Sequence, residues 1–169
     1  MRARFVRARP VVIAMVMAGM IGIAQPPTTA AAGTPTIVGA VHCVMAGGQV
    51  TRPAGSQIVV AVGWVAKTQG LVEDFLNAQT TTVSVNGGVP VDVSGGYIPI
   101  FPLGTDFATR VFYDTGVTLG VGDSLRFEVA MSMSHRMLDG LTFASDENDK
   151  PLFFGPGVAF VFPCTVTGE

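Results

Sequence analysis

Cationic side chains become scarce in this chain once its first nine residues are passed. Only Arg52, Lys67, Arg110, Arg126, Arg136 and Lys150 follow Arg2, Arg4, Arg7 and Arg9, and all twelve acidic residues lie beyond those first four. From residue 33 onward there are six basic and twelve acidic residues, a formal −6. No basic stripe exists to neutralise a phosphate backbone, which excludes nucleic acid as a partner. Histidine is limited to His42 and His135, and cysteine to Cys43 and Cys164. Neither C-x-x-C nor H-x-x-x-H occurs, so no zinc site can be built from neighbouring ligands, and no cofactor is expected. The G-x-S-x-G elbow of a serine hydrolase is missing as well.

What the first 32 residues contain is equally informative. Four arginines precede the apolar run Val11 to Ala24, and Pro26, Pro27 and the small stretch Ala30-Ala31-Ala32 come after it. A basic start, a short apolar core and an A-x-A site predict a secretory signal peptide over residues 1–32. The apolar run is interrupted by Gly19 and Gly22 and falls short of the roughly 20 residues of a spanning helix, so cleavage after Ala32 is expected in preference to a retained membrane anchor. No cysteine precedes Cys43, which excludes a lipid-modified cysteine after the leader. The arginines never form an Arg-Arg pair, so ordinary export is expected over the twin-arginine route. The expected location is extracellular or the cell envelope.

Residues 33–169 fit a single domain with a proper core. The composition is rich in Val, Thr and Gly, with turn residues recurring every eight to twelve positions, a profile that predicts an all-β, antiparallel β-sandwich. In Ile37 to Met45, one face of an expected first strand holds Ile37, Val41, Cys43 and Met45, and His42 points away. Ile58 to Ala66 is apolar on both faces, as a central strand buried on both sides would be. Between Thr68 and Gln79 the period changes. Leu71, Val72, Phe75 and Leu76 stack on one side of a helix of about two turns, with Glu73 and Asp74 as solvated acids near its start. So short a helix must dock its stripe on the sheet, as a plug over one end.

The segment Thr81 to Val93 predicts a hairpin. A two-residue turn at Asn86-Gly87 would send the valines of its two strands to opposite faces. A three-residue loop, Asn86-Gly87-Gly88, pairs Val85 with Val89, Val83 with Val91 and Thr81 with Val93, with a Gly as the left-handed residue. Two further strands follow. Phe107, Thr109, Val111 and Tyr113 share one face of the first; Leu125, Phe127, Val129, Met131 and Met133 share one face of the second. The corner between them, Val117-Thr118-Leu119-Gly120-Val121-Gly122-Asp123-Ser124-Leu125, resembles the L-x-x-G-[DE]-S inter-strand corner of bacterial secreted immunoglobulin-like modules. The resemblance covers about nine residues and implies an immunoglobulin-like sandwich without naming an activity. The inter-sheet cysteine spacing of antibody domains is not present.

In the last strand, Val158 to Thr167, Cys164 is in phase with Phe160, Phe162 and Val166. Two core-facing cysteines at opposite ends of an exported domain predict a disulfide between Cys43 and Cys164.

Residues that carry chemistry are few. Ser134, His135 and Asp139 lie close in sequence, but neighbours on a strand project to opposite faces, so no triad is expected and no catalytic residue is assigned. His135 continues the inward phase of Met133 and is expected to cap that face of the core. Asp146-Glu147-Asn148-Asp149 lacks the D-x-[DN]-x-[DN]-G spacing and is read as a solvated tip in preference to a calcium loop; no metal site is assigned. The two long connections, 94–106 and 138–157, carry an unusual apolar load for loops. Either they fold back and close the ends of the sandwich, or they form a recognition surface with Tyr97, Phe101, Phe153 and Phe154 as anchors. Two functions follow. One is a non-catalytic secreted or envelope module that binds an extracellular protein or glycan through loops at one end. The other is a secreted hydrolase using carboxylates such as Asp106 and Asp139.

Overall fold

The structure is a computed structural model and describes residues 33–141, 156 and 159–169. The expected leader, the acidic tip and the aromatic pair Phe153 and Phe154 lie outside these described residues. The fold is all-β, built from β1 (Thr34–Gly39), α1 (Ala40–Met45), β2 (Gln49–Arg52), β3 (Ser56–Ala66), α2 (Gln69–Ala78), β4 (Gln79–Val85), β5 (Val91–Asp92), a 3-10 turn at Ser94–Gly96, β6 (Phe101–Leu103), β7 (Asp106–Thr118), β8 (Ser124–Met133) and β9 (Ala159–Gly168). Four strands form one sheet in the order β1-β3-β7-β6, and five form the other in the order β2-β9-β8-β4-β5. The sheets share one core. Val38, Ile58, Val60, Val62 and Val111 enter it from the first sheet, and Val83, Leu125, Phe127, Val129 and Val166 from the second.

The pairing is not purely antiparallel, which corrects the sequence expectation. β1 runs parallel to β3, and β2 runs parallel to β9. Parallel neighbours need a crossover. Here α1 and β2 supply it: the chain leaves the four-stranded sheet at Gly39, passes through α1 into the five-stranded sheet as β2, and returns as β3 alongside β1.

The first expected strand is also corrected. It ends at Gly39, and Ala40 to Met45 are helical. The period therefore shifts from two to 3.6 partway through the apolar run. Val38, Ala40 and Cys43 are the buried residues of this stretch, while Ile37, Val41 and Met45 are 57%, 48% and 82% exposed. Cys43 is inward as expected, but from a helix. His42 is exposed as expected.

β3 is central in its sheet, between β1 and β7. Its inner face, Ile58, Val60 and Val62, is buried, whereas the outer residues Val59, Ala61 and Val65 are only half-buried. Helix α2 fills most of the expected span. Thr68 caps it by accepting from the Leu71 amide at 3.4 Å, and Val72, Phe75 and Ala78 are buried. Phe75 stacks flat on Trp64 of β3, centroids 4.8 Å apart. Fully burying such a ring contributes on the order of 2 to 3 kcal/mol.

The hairpin has the expected register, with Val83 opposite Val91 and the Val93 amide donating to the Thr81 carbonyl at 2.9 Å. Two residues are left-handed at its tip, Asn86 at φ 51° and Gly87 at φ 72°, and the Gly88 amide donates back to the Val85 carbonyl. β7, β8 and β9 follow the expected alternation. Leu125, Phe127, Val129, Met131 and Met133 are all buried, as are Cys164 and Val166. The corner between β7 and β8 is tied to the chain's last strand. The Gly122 amide donates to the Gly168 carbonyl, the Gly168 amide to the Asp123 carbonyl, and the Asp123 carboxylate takes the Gly120 amide at 2.7 Å. A Cβ at Gly168 would collide with the Gly120 carbonyl oxygen, so only glycine fits there.

Cys43 on α1 and Cys164 on β9 are disulfide-bonded with Cα atoms 5.9 Å apart and a sequence separation of 121. Closing a loop of this length lowers denatured-state entropy by an amount worth about 4 to 5 kcal/mol in the chain-entropy model. Cys43→Ser, or reduction of the native protein, is expected to lower Tm strongly while far-ultraviolet circular dichroism keeps its β signature; a Tm insensitive to reductant would contradict this.

Candidate functional site

The segment from Ser94 to Leu103 joins the last strand of the five-stranded sheet to the edge strand of the other. Its first half is anchored inward by polar bonds. The Ser94 hydroxyl accepts from the Thr81 amide at 2.8 Å, and the Gln79 side-chain amide donates to the Ser94 carbonyl at 3.1 Å. The Thr81 hydroxyl donates to Gln79 Oε1 at 2.6 Å and lies 3.1 Å from the Tyr97 hydroxyl. Since the Thr81 proton is committed to Gln79, the Tyr97 hydroxyl is the donor of that pair. The Tyr97 ring meets Phe75 edge-on, centroids 5.5 Å apart. Tyr97 thus completes an aromatic stack of Trp64, Phe75 and Tyr97 under α2.

The second half of the segment lies open at the sheet edge. Ile98 pairs with β7, its amide donating to the Arg110 carbonyl at 2.7 Å, and its carbonyl accepts from the Thr109 hydroxyl. β6 then pairs with β7, Phe101 opposite Ala108. The Arg110 guanidinium lies 5.5 Å above the Phe101 ring, a cation-π contact worth about 0.5 to 1 kcal/mol at an exposed site. Ile98 and Leu103 are exposed on either side of this pair in sequence, and Pro102 is exposed between Phe101 and Leu103. Of the four expected anchors, Tyr97 is turned into the core, Phe101 sits on the open edge, and Phe153 and Phe154 fall outside the described residues. Arg110 carried no sequence signal as a partner of Phe101, because the two are joined only by the fold.

The carboxylates proposed for acid-base work occupy separate structural roles. Asp106 is ion-paired with Lys67 at 2.9 Å and also accepts from Thr105. The hydrogen bond from Lys67 holds its carboxyl below the ordinary value, so it retains no proton to donate at neutral pH. Asp139 is buried and closes a local turn by accepting from the Leu141 amide at 2.9 Å, while its carbonyl takes the Lys67 amide.

A different constellation does form. His135 Nε2 lies 2.9 Å from Asp74 Oδ1, and His135 Nδ1 lies 3.2 Å from the Ser134 hydroxyl. β8 ends at Met133 and the chain bends at Ser134 and His135, so strand alternation no longer keeps their side chains apart. His135 therefore does not cap the core but is about half exposed, bonded to helix α2. The order Ser, His, Asp is that of a hydrolase relay. Its setting is unlike that of such a relay in one respect: the Ser134 amide is spent on the Ala78 carbonyl rather than aimed at an oxyanion. Among the described residues no three His, Cys, Asp or Glu side chains converge as a metal ion would need. No helix among them is long and apolar enough to cross a membrane.

Compared with protein-family models, with curated proteins and with solved structures, the chain matches none.

Burial pushes the Tyr97 hydroxyl from its ordinary value up to about 12, and only a Thr81 proton turned toward the phenolate would oppose this. A raised folded-state value means the stabilisation is complete below the unfolded value near 10 and is lost as pH climbs toward 12. Tyr97→Phe is expected to cost about 1 kcal/mol at neutral pH through the lost hydrogen bond. Its disadvantage should shrink and reverse above about pH 11, as denaturant unfolding of the two proteins would read; parallel curves across that window would refute the burial of a neutral Tyr97.

Proposed function

We propose that the chain is a non-catalytic module of the extracellular space or cell envelope, an immunoglobulin-like sandwich that binds a protein or glycan partner. Export is supported by the Cys43–Cys164 disulfide, since such bonds persist in oxidising compartments, and by the leader pattern in the sequence. The sandwich is supported by two sheets facing a common core and by the braced corner Leu119 to Ser124. The observation that carries the binding reading is the open edge at β6, where Phe101 lies under Arg110 with Ile98 and Leu103 exposed nearby. A guanidinium stacked over an aromatic ring gives a sugar ring or an extended peptide a flat surface with hydrogen-bond donors at its rim. β6 is also an edge strand among the described residues, with backbone groups available to a pairing chain. The contact would be made by few residues, so single truncations should be decisive.

The second reading, a secreted hydrolase, is favoured by the Asp74–His135–Ser134 chain of bonds and not by Asp106 or Asp139. Immobilised protein is expected to retain a partner from a cell-envelope extract, and Phe101→Ala to lose it without a change in Tm. Equal recovery by the two proteins would overturn the binding reading. Hydrolysis of an activated nitrophenyl ester is expected to be the same for the native protein and Ser134→Ala; a native rate abolished by that substitution would establish the hydrolase instead.

A further inference from the structure

We propose that the outer face of the four-stranded sheet is a self-complementary surface that receives a second copy of this chain. The register gives three rows across β1, β3 and β7: Ile37, Val59 and Asp114; Gly39, Ala61 and Phe112; and, without a β1 member, Gly63 and Arg110. The α1 residue Val41 borders the third row, in a shallow hollow that it shares with Ile37, Ala61, Gly63 and Arg110. Ile37, Val41 and Phe112 are 57%, 48% and 42% exposed on this face, an apolar load larger than a solvated sheet surface requires.

The pattern of the rows selects the occupant. Along β7 the outward order is cation, aromatic, anion, at Arg110, Phe112 and Asp114. Along β3 it is glycine, alanine, valine, at Gly63, Ala61 and Val59. A two-fold axis lying between two facing sheets, perpendicular to the strands and level with Phe112, Ala61 and Gly39, exchanges the first and third rows. Each Arg110 then meets Asp114 of the other copy, each Val59 packs on the Arg110 stem lying over Gly63, and each Ile37 enters the hollow beside Val41. Phe112 packs beside its equivalent at the axis, next to the small residues of the middle row. With the axis instead along β7, Arg110 would face Arg110 and Asp114 would face Asp114, so the charges reject that alternative.

The charged ends are in condition for this. Arg110 forms no ion pair among the described residues; its guanidinium rests over Phe101, a cation-π contact that leaves its N–H donors for a carboxylate. Asp114 is fixed by hydrogen bonds from the Gly116 amide and the Gln57 side chain, which hold it below the ordinary carboxylate value and so ionised, with lone pairs to spare. A Cβ at Gly63 would come within 3.2 Å of Arg110 Cγ, so the Arg110 stem lies over Gly63 and the glycine lets it lie flat on the sheet. Three strands about 4.8 Å apart give a contact at the small end of specific interfaces, below about 1,200 Å² in total, which implies a reversible dimer.

Sedimentation equilibrium of the protein recovered from its producing cells is expected to show monomer and dimer exchanging in the micromolar range, weakened by salt. Arg110→Asp and Asp114→Arg should each be monomeric, and an equimolar mixture of the two should dimerise again, because the mixed pair restores both ion pairs. Restoration by mixing also demonstrates that both variants are folded. Phe112→Cys should yield a dimer cross-linked by a short bismaleimide, since facing sheets about 10 Å apart hold the two introduced thiols at the axis within that reagent's reach but too far apart for a disulfide. A native protein that stays monomeric up to millimolar concentration overturns the proposal, as does a dimer that survives both charge reversals or shows no cross-link through residue 112. Arg110 belongs to both surfaces, so Phe101→Ala in the pull-down reads the β6 edge alone and Asp114→Arg with the residue-112 cross-link reads the β1–β3–β7 face alone, and either proposal can fail by itself.

Discussion

Helix α1 has six residues, no side-chain cap at Gly39 and no acid in its first turn, so little in its own sequence holds it folded. The bond from its Cys43 to Cys164 does. α1 is the bridge by which the chain leaves one sheet and enters the other, and β9, which carries Cys164, is the strand against which β2 pairs. Fixing the helix to β9 therefore positions β1 and β2 together. Both pair in parallel, the geometry with slightly weaker hydrogen bonds, and β2 is only four residues long. The covalent link compensates where ladder bonding is weakest. Gly48, which follows α1, takes part as well: its carbonyl accepts from the Thr165 amide, one residue past the disulfide.

Much of the strand framework was legible because half-buried strands write a period of two. β8 is the clearest case, with polar or small residues at every outward position and large apolar ones at every inward position. The hairpin register followed from the same logic, since only one alignment keeps Val83 and Val91 opposed. Ile37 to Met45 could not be read this way. It is apolar at nearly every position, so both a two-residue and a 3.6-residue period find matches, and Cys43 comes out inward under either. The parallel pairs left no local signature because they join segments through the other sheet. The Asp74–His135 contact spans 61 residues and depends on β8 stopping at Met133. The Arg110–Phe101 stack depends on the tight hairpin that turns at Gly104-Thr105 and sets Phe101 against β7.

The apolar load of the 94–106 connection has two physical explanations, one for each half. Buried polar groups are costly unless bonded, and the first half satisfies Gln79, Thr81, Ser94 and Tyr97 through one another. Such a network specifies position more sharply than apolar contact does, because a shifted Tyr97 would leave its own hydroxyl part-buried and unpaired. The second half has no such buried network: it is held to β7 by the Ile98 bonds and by Arg110 over Phe101, with Ile98 and Leu103 exposed.

The Asp74–His135–Ser134 chain is better understood as a tie than as a relay. Asp74 lies on α2, whose docking depends on Val72 and Phe75, and His135 lies just past the end of β8. The Ser134 amide already donates to Ala78 at the last residue of that helix. Two bonds thus fasten the same bend to the same helix, one at its end and one a turn earlier, and together they fix where β8 stops. A relay would need the Ser134 hydroxyl presented to a substrate in a dry, shaped site. Here His135 and Asp74 are 50% and 44% exposed, so water competes for each bond and screens the charge that a relay would have to develop.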